Sequence, residues 1–193
     1  MKETRMDMVR CFGANDPLYQ AYHDEEWGRR LEVSDDEHEL LERVCLEGFQ
    51  AGLSWLTVLR KREAFREAFT GFRPDIVAEY DDDDVEDLML NPEIIRNRMK
   101  IVATIGNAQA LLQMHADGER LADLIGQHAP PPRRAAPLTA FDVPSSTPES
   151  EALSKELHRR GFRFVGPTTM YALMQAIGMV DDHIKGCWLA RAR

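Results

Sequence analysis

Apolar residues recur along this chain at helical spacing, and no stretch shows the convincing alternation of a β-strand. Leu40, Leu41 and Val44 lie three and four residues apart, which places them on one face of a helix. That segment is interrupted at Ala51-Gly52, and a second broadly apolar helix follows. The same period predicts further helices at Asp81–Leu90, Lys100–His115, Arg120–Ile125, Pro148–Arg159 and Pro167–Ile177. The chain is therefore predicted to be all-α.

Helix-start signals agree with this pattern at three places. Asp16 precedes Pro17, a combination typical of an N-cap followed by the first helical position. Ser34 and Glu37 have the Ser-x-x-Glu spacing of a capping box, which predicts the start of the Leu40 helix. Ser54 is placed to cap the helix after it.

One segment is too rich in proline to be part of a helical core. Residues Ala129–Pro144 hold five of the ten prolines in the chain. Proline removes a backbone donor and breaks a helix, so this segment is predicted to be a loop. With 193 residues and no internal repeat, we expect a single domain, 1–193, made of two helical lobes with this loop at about 129–144.

Composition indicates an ordinary globular protein. The chain is 44% hydrophobic and 30% charged, and no apolar stretch approaches the ~20 residues that cross a bilayer. The charged start has no apolar region behind it, so no signal sequence is predicted. We therefore expect a cytoplasmic protein with no membrane partner. Nothing in the sequence indicates an oligomer, so a monomer is expected.

The net charge of −9 argues, taken alone, against a nucleic-acid partner, but its distribution weakens that argument. From Asp75 to Glu93 there are nine acidic residues and no basic one. Basic residues cluster elsewhere, at Arg96–Lys100, Arg133-Arg134 and Lys155–Arg163.

Two cysteine/histidine pairs near the ends of the chain make a complete set of four zinc ligands. His183 and Cys187 are four residues apart, close enough on a helix to hold one ion, whereas Cys11 and His23 are separated by eleven residues. The spacing alone leaves open that these are ordinary thiols and satisfied histidines. Cys45 lies in an apolar run and is predicted to be a small buried hydrophobe.

A turn with two glycines follows the basic end of the Pro148–Arg159 helix and leads into the helix at Pro167. Backbone amides at such a helix start suit a phosphate, and Arg160 and Arg163 flank the turn. The alternative is a plain helix connection in which Gly161 is a C-cap and the arginines are solvated.

The order of these parts resembles the helix–hairpin–helix DNA glycosylase superfamily, and within it the DNA-3-methyladenine glycosylase I family. The resemblance runs from about Cys11 to Cys187. The segments that carry it are Cys11, Asp16–Gly28, Leu46–Trp55, Ile94–Ile101, Ser154–Gly166 and His183–Cys187.

The resemblance implies an all-α glycosylase that hydrolyses the N-glycosidic bond of 3-methyladenine in alkylated double-stranded DNA and leaves an abasic site. It implies one structural zinc per chain, held by Cys11, His23, His183 and Cys187. Glu47 would be the catalytic carboxylate of the base pocket. The base-binding residues would be Tyr19, Tyr22, Trp55 and Phe12. The DNA-binding residues of the turn would be Arg160, Gly161, Arg163, Gly166 and Thr168.

The chemistry of these pocket residues fits a damaged base. Methylation at N3 makes adenine cationic, so a buried carboxylate such as Glu47 favours it over neutral adenine by charge. An aromatic ring such as Trp55 replaces the stacking that a flipped base loses. Asp181 stands two residues before His183, where the superfamily has its usual catalytic aspartate. The glycosylase I family does not rely on an aspartate there, so we expect Asp181 to support the zinc site instead.

The chain departs from the family in three respects. Phe12 follows Cys11 where the family usually has a tryptophan nearby, and the loop from there to Asp16 is one residue shorter. The loop at 129–144 is unusually rich in proline, and the net charge is acidic, which restricts DNA contact to the turn with Arg96, Arg98 and Lys100 as neighbours. Two other classes stay open: a zinc-stapled DNA-binding module without catalysis, and a metal-dependent hydrolase.

Overall fold

The computed structural model describes residues 8–13 and 15–190, and every regular element in these ranges is helical. The predicted all-α class is confirmed. The helices are α1 Pro17–Glu25, α2 His38–Gln50, α3 Trp55–Ala68, α4 Pro74–Val77, α5 Asp82–Leu90, α6 Arg98–Ala116, α7 Leu121–Gln127, α8 Pro148–Arg159 and α9 Pro167–Ala176. Within the described residues, none of these helices is long and apolar enough to cross a membrane.

Two of the three predicted N-caps form as the sequence indicates. The Asp16 carboxylate accepts a hydrogen bond from the Tyr19 amide at the start of α1, with Pro17 at the first helical position. The Ser54 hydroxyl accepts one from the Thr57 amide at the start of α3. Each satisfies one of the amide donors that a helix start leaves without an internal partner.

The capping box predicted for Ser34 and Glu37 does not form. Ser34 donates instead to the Glu39 carboxylate, from its amide at 3.1 Å and its hydroxyl at 2.6 Å. Glu37 is the N-cap residue of α2, with a left-handed φ of 56° and no capping hydrogen bond of its own. The prediction was wrong because a distant partner competes for the Glu37 carboxylate.

That distant partner is the start of α7. The Glu37 carboxylate accepts hydrogen bonds from the amides of Leu121 and Ala122, both at 2.8 Å, and contacts His115 Nε2 at 2.9 Å. Its side chain is fully buried. A carboxylate at a helix start satisfies orphan amides and favours the positive end of the helix dipole. Glu37 therefore caps a helix more than 80 residues away in sequence.

The chain divides into two compact units. The larger comprises Glu32–His128 and Ser146–Leu173, and the other comprises Met1–Leu31, Ala129–Ser145 and Met174–Arg193. In the larger unit, α6 packs against α2, α4 and α5, and α2 packs against α3. A run of fully buried phenylalanine rings fills its core, with centroids 4.4–6.4 Å apart: Phe49, Phe65, Phe69 and Phe72.

In the smaller unit, the proline-rich loop is attached to the segment that carries His183. Arg133 forms an ion pair with the buried Asp182 carboxylate, and the Lys185 amide donates to the Pro137 carbonyl at 2.7 Å. The loop prediction is confirmed apart from one 3-10 turn at Ala140–Asp142. Arg133, which the sequence presented as part of a basic cluster, is thus engaged in holding this loop.

Replacing Glu37 with alanine should destabilise the larger unit by about 2–4 kcal/mol, because the buried Leu121 amide, the part-buried Ala122 amide and His115 lose their acceptor. Glu37→Gln should cost less, because one oxygen still accepts. Urea unfolding measures both, with Glu67→Ala on an exposed face of α3 as the control. A Glu37→Ala variant as stable as Glu67→Ala would contradict the capping role.

Candidate functional site

The four predicted metal ligands lie together in the smaller unit. One donor atom from each of Cys11, His23, His183 and Cys187 lies within 4.8 Å of all the others. Cys11 Sγ is 3.5 Å from His183 Nδ1, and Cys187 Sγ is 3.4 Å from His23 Nε2 and 3.6 Å from His183 Nδ1. Two residues from each end of the described chain therefore converge on one point.

These distances fit a tetrahedral zinc ion. With Zn–S near 2.3 Å and Zn–N near 2.05 Å, a tetrahedron separates sulfur from nitrogen by about 3.6 Å. The three sulfur–nitrogen distances, 3.4–3.6 Å, match that separation. Burial raises the pKa of Cys11 to about 12, so a cation is the partner that would hold this sulfur as a thiolate.

A buried carboxylate orients one of these histidines. Asp24 Oδ1 lies 2.9 Å from His23 Nδ1, so an Nδ1–H that donates to Asp24 leaves the Nε2 lone pair facing the cluster. Arg10 binds the same carboxylate through Nε and Nη2, and Trp188 Nε1 donates to it at 3.0 Å. Burial acts to raise the pKa of Asp24, but the hydrogen bonds from Arg10, His23 and Trp188 outweigh it and hold that pKa well below its usual range.

Close approach also restricts the backbone near His183. A Cβ at Gly28 would lie 3.0 Å from His183 Nε2, and Gly28 has a φ of +75°. Only glycine fits both requirements. Asp181 Oδ1 accepts from the His183 amide at 3.4 Å, which is consistent with the supporting role expected for it.

Three predicted base-binding residues form an aromatic group beside the metal ligands. The Phe12 ring lies 4.6 Å from Tyr19 and 6.2 Å from Tyr22, centroid to centroid, and Tyr19 and Tyr22 are stacked at 6.4 Å. Sequence reasoning missed Trp27, whose ring lies 5.0 Å from Phe12 and 4.8 Å from His183. Its position four residues after His23 on the α1 segment was the available signal.

Glu47 is a buried carboxyl group in the larger unit. It lies on α2, is 4% exposed, and accepts no hydrogen bond from the described residues. Burial raises its pKa to about 8, against the opposing influence of Arg43. Trp55, buried, opens α3 a short turn later. The carboxyl group is therefore poised between its neutral and charged forms near neutral pH.

The predicted DNA-contact turn connects α8 and α9 in the same unit. Gly161, Arg163 and Thr168 are exposed, and the amides of Gly166 and Thr168 have no acceptor among the described residues. Arg160 is less available, because its guanidinium binds the carboxylates of Glu119 and Glu156. The amides and Arg163 are thus the groups that this turn presents.

Two of the basic residues expected beside the turn are engaged elsewhere. Arg98 pairs with Glu86 at 2.7 Å, and Lys100 is 7% exposed with its ammonium directed at carbonyls of the α2 terminus. Lys100 does lie beside the turn, as expected, but its burial leaves the ammonium unavailable to a DNA phosphate. Its periodic position did not reveal this, because burial of a lysine depends on the helices packed around it. Cys45 is buried, as predicted.

A family model described as methyladenine glycosylase matches residues 12–191. A DNA-3-methyladenine glycosylase 1 from Escherichia coli K12 is 50% identical over 184 residues, covering 93% of this chain and 96% of the relative. This chain belongs to the methyladenine glycosylase family.

Solved structures agree with that assignment. A crystal structure of a 3-methyladenine DNA glycosylase I has a TM-score of 0.88 and 47% identity, covering 95% of this chain and 100% of the other. A Staphylococcus aureus structure, described as the basis of 3-methyladenine recognition by that enzyme, has a TM-score of 0.85 and 36% identity. It covers 96% of this chain and 98% of its own. The fold of the family is thereby confirmed.

Glu47 should make stability fall with rising pH. Its folded pKa, about 8, lies above the ordinary 4.5, so the folded protein binds more protons than the unfolded chain between these values. The free energy of unfolding of Glu47→Gln, measured relative to that of the wild type, should therefore increase by about 2–4 kcal/mol from pH 5 to pH 8.5. Urea unfolding at both pH values measures it. A difference that stays flat would show that burial does not raise the pKa of Glu47. Glu67→Gln, on an exposed face of α3, is the control variant.

Proposed function

We propose that this chain excises 3-methyladenine from alkylated DNA by hydrolysing its N-glycosidic bond, and so acts in base-excision repair. Family membership sets the reaction class. The observation that carries the assignment to this chain is the buried Glu47 carboxyl, which lacks a hydrogen-bond partner among the described residues. Such a group is costly in the free protein and gains most from a ligand that is both cationic and a hydrogen-bond donor.

The reaction requires little strong base chemistry. The bond between C1′ and the base nitrogen breaks with its electron pair going to the base, which leaves neutral because the methylated base begins as a cation. Water adds to C1′ and gives up a proton, producing the abasic site. Glu47 contributes by binding the cationic base in its charged form, so selectivity against neutral adenine arises from the difference in charge.

Aromatic residues would hold the extruded base. Trp55, Tyr19, Tyr22 and Phe12 are the proposed stacking and edge-binding residues, and the close grouping of the last three supports a shared role. We add Leu53, which is 42% exposed in the turn between α2 and α3. An apolar side chain at such a tip suits the gap left when a base leaves the duplex.

Zinc is the proposed metal, and the residues that would hold it are Cys11, His23, His183 and Cys187. Four protein ligands fill a tetrahedral site, so the ion would serve to join the two ends of the chain and to fix the segment that carries Tyr19 and Tyr22. A closed ligand set of this kind disfavours the alternative of a metal-dependent hydrolase, which needs an open position for water.

Duplex DNA is the proposed partner, and the α8–α9 turn is its proposed phosphate contact. The amides of Gly166 and Thr168 and the side chain of Arg163 would bind the backbone, with Arg160 held in place by its carboxylate partners. The Gly161 amide donates to the His158 carbonyl at 3.1 Å, so Gly161 would contribute through the shape of the turn. A non-catalytic DNA-binding module needs this turn but gives no reason for burying Glu47.

Release of free base from methylated duplex DNA tests the function directly. Wild-type protein should release 3-methyladenine, with 7-methylguanine measured alongside. Glu47→Gln should slow single-turnover excision by about 100-fold, because the charge of the pocket is lost. Trp55→Ala should slow it by about 10-fold, because stacking is lost. Both rates are measured by chromatography of the released base.

Three results would go against this proposal. Release of neither base by the wild-type protein would favour the non-catalytic module. Wild-type rates in both variants would exclude the proposed pocket, with Glu67→Gln as the matched surface control. A folded, zinc-loaded Asp181→Asn variant without activity would make Asp181 catalytic and reverse the supporting role given to it.

Elemental analysis should find one zinc per chain in wild type and in Cys45→Ala, whose buried thiol lies outside the cluster. Cys187→Ser should lose the metal and unfold at a lower temperature. Asp24→Asn should weaken zinc binding by about 10- to 100-fold in a competition with a chromogenic chelator, because His23 loses its carboxylate partner. Full thermal stability of metal-free Cys187→Ser would refute a structural ion.

A further inference from the structure

Lys100 is a buried cation for which the proposed reaction gives no role. It is only 7% exposed, although it lies in the first turn of α6, where the positive end of the helix dipole disfavours a second positive charge. Burial lowers the pKa of its ammonium. A lysine placed at such cost has to be matched by specific contacts.

Those contacts are with the end of the helix that carries Glu47. The Lys100 ammonium donates to the carbonyls of Phe49 at 2.9 Å and Ala51 at 2.7 Å. These carbonyls belong to the last turn and C-cap of α2, where a helix leaves its acceptors without internal partners. The segment they begin leads through Leu53 to Trp55. Lys100 therefore ties down the turn that joins two of the proposed base-reading residues.

The same ammonium faces the DNA-contact turn on its other side. It lies 5.8 Å from the centroid of the Phe164 ring, a favourable position for a cation over an aromatic face. Phe164 has a left-handed φ of 56°, and its Cβ would lie 3.0 Å from a Cβ added at Gly48. The turn thus packs directly on α2 at Gly48, the residue that follows Glu47.

Asn107 lies about two helical turns further along α6 and binds Arg163, the residue before Phe164 in the DNA-contact turn. Its Oδ1 accepts from the Arg163 amide at 2.7 Å, and its Nδ2 donates to the Arg163 carbonyl at 3.2 Å. Asn107 is 2% exposed. Lys100 and Asn107 line one small pocket together with Gly48, Phe49, Arg163 and Phe164.

We propose that Lys100 and Asn107 are positioning residues that hold the α2–α3 turn and the α8–α9 turn in one fixed relation, so that DNA gripped at one turn presents its base to Glu47 and Trp55. This inference rests on the proposed function. It differs from a role in stability alone, because it concerns the alignment of two surfaces that only duplex DNA engages together. Free base engages the pocket without the DNA-contact turn.

Comparing two ligands separates these roles. Lys100→Met removes the ammonium and keeps most of the stem. Single-turnover excision from methylated duplex DNA should fall by about 10- to 100-fold in the folded protein, since small misplacements of reacting groups cost that much. Binding of free 3-methyladenine should stay within about twofold of wild type. Circular dichroism gives the folded fraction to which both values are normalised.

Lys61→Met is the matched control. Lys61 on α3 also donates its ammonium to two backbone carbonyls, those of Pro92 at 3.0 Å and Glu93 at 2.8 Å. It should leave both measurements unchanged. Lys100→Arg, which keeps the charge and donors, should recover part of the excision rate.

Asn107→Ala keeps the inference testable if Lys100→Met does not fold, and it should show the same loss of excision with free-base binding retained. Excision at the wild-type rate in the Lys100 and Asn107 variants would overturn the positioning role while leaving the proposed function intact. Parallel loss of excision and free-base binding would also overturn it, as a merely structural effect. Failure of the wild-type protein to release base would instead refute the proposed function itself.

Discussion

The buried Glu47 carboxyl group is a constraint that the rest of the larger unit has to accommodate. A carboxyl that accepts no hydrogen bond from the described residues costs several kcal/mol when ionised in an apolar setting. The phenylalanine core beside α2 and α3 offsets that cost by apolar burial. It also prevents the helix from relaxing to expose the group to water, because a close-packed core does not deform gradually. The unmet hydrogen-bonding capacity is thus preserved for a ligand.

The cysteine/histidine cluster performs a different task in the smaller unit. Its ligands come from segments about 170 residues apart, so a shared ion would close a very long loop of chain. The outer contacts repeat this connection without a metal, since Asp24 accepts from Arg10 near the start of the chain and from Trp188 near its end. The Asp24 contacts join the two ends directly, and a shared ion would reinforce that connection through His23.

Local signals in the sequence predicted local structure well and distant partners poorly. The caps at Asp16 and Ser54 depend only on residues three positions away, and both form. The capping box predicted at Ser34 does not form because Glu37 binds the start of α7. The burial of Lys100 was not predicted because the α2 carbonyls that it binds are distant from it in sequence. The ligand set was predictable because four residues of rare types carry it. Asp24 was missed because acidic residues are common in the chain, and Trp27 because Phe12 and His183, the rings it contacts, are distant from it in sequence.

The net negative charge of the chain is compatible with a DNA partner, because many of the acidic side chains bind groups within the protein. Much of it lies at α5, where Asp81 and Asp84 form a capping box at the positive end of the helix dipole and Glu86 pairs with Arg98. The proposed DNA-contact turn offers neutral amides and few uncompensated cations, so sequence-independent attraction to phosphates should be weak. If binding to the phosphates is weak, recognition of the damaged site depends on contacts with the base. Because the lesion is cationic and undamaged adenine is neutral, an acidic pocket in a protein with little affinity for intact DNA favours the damaged site.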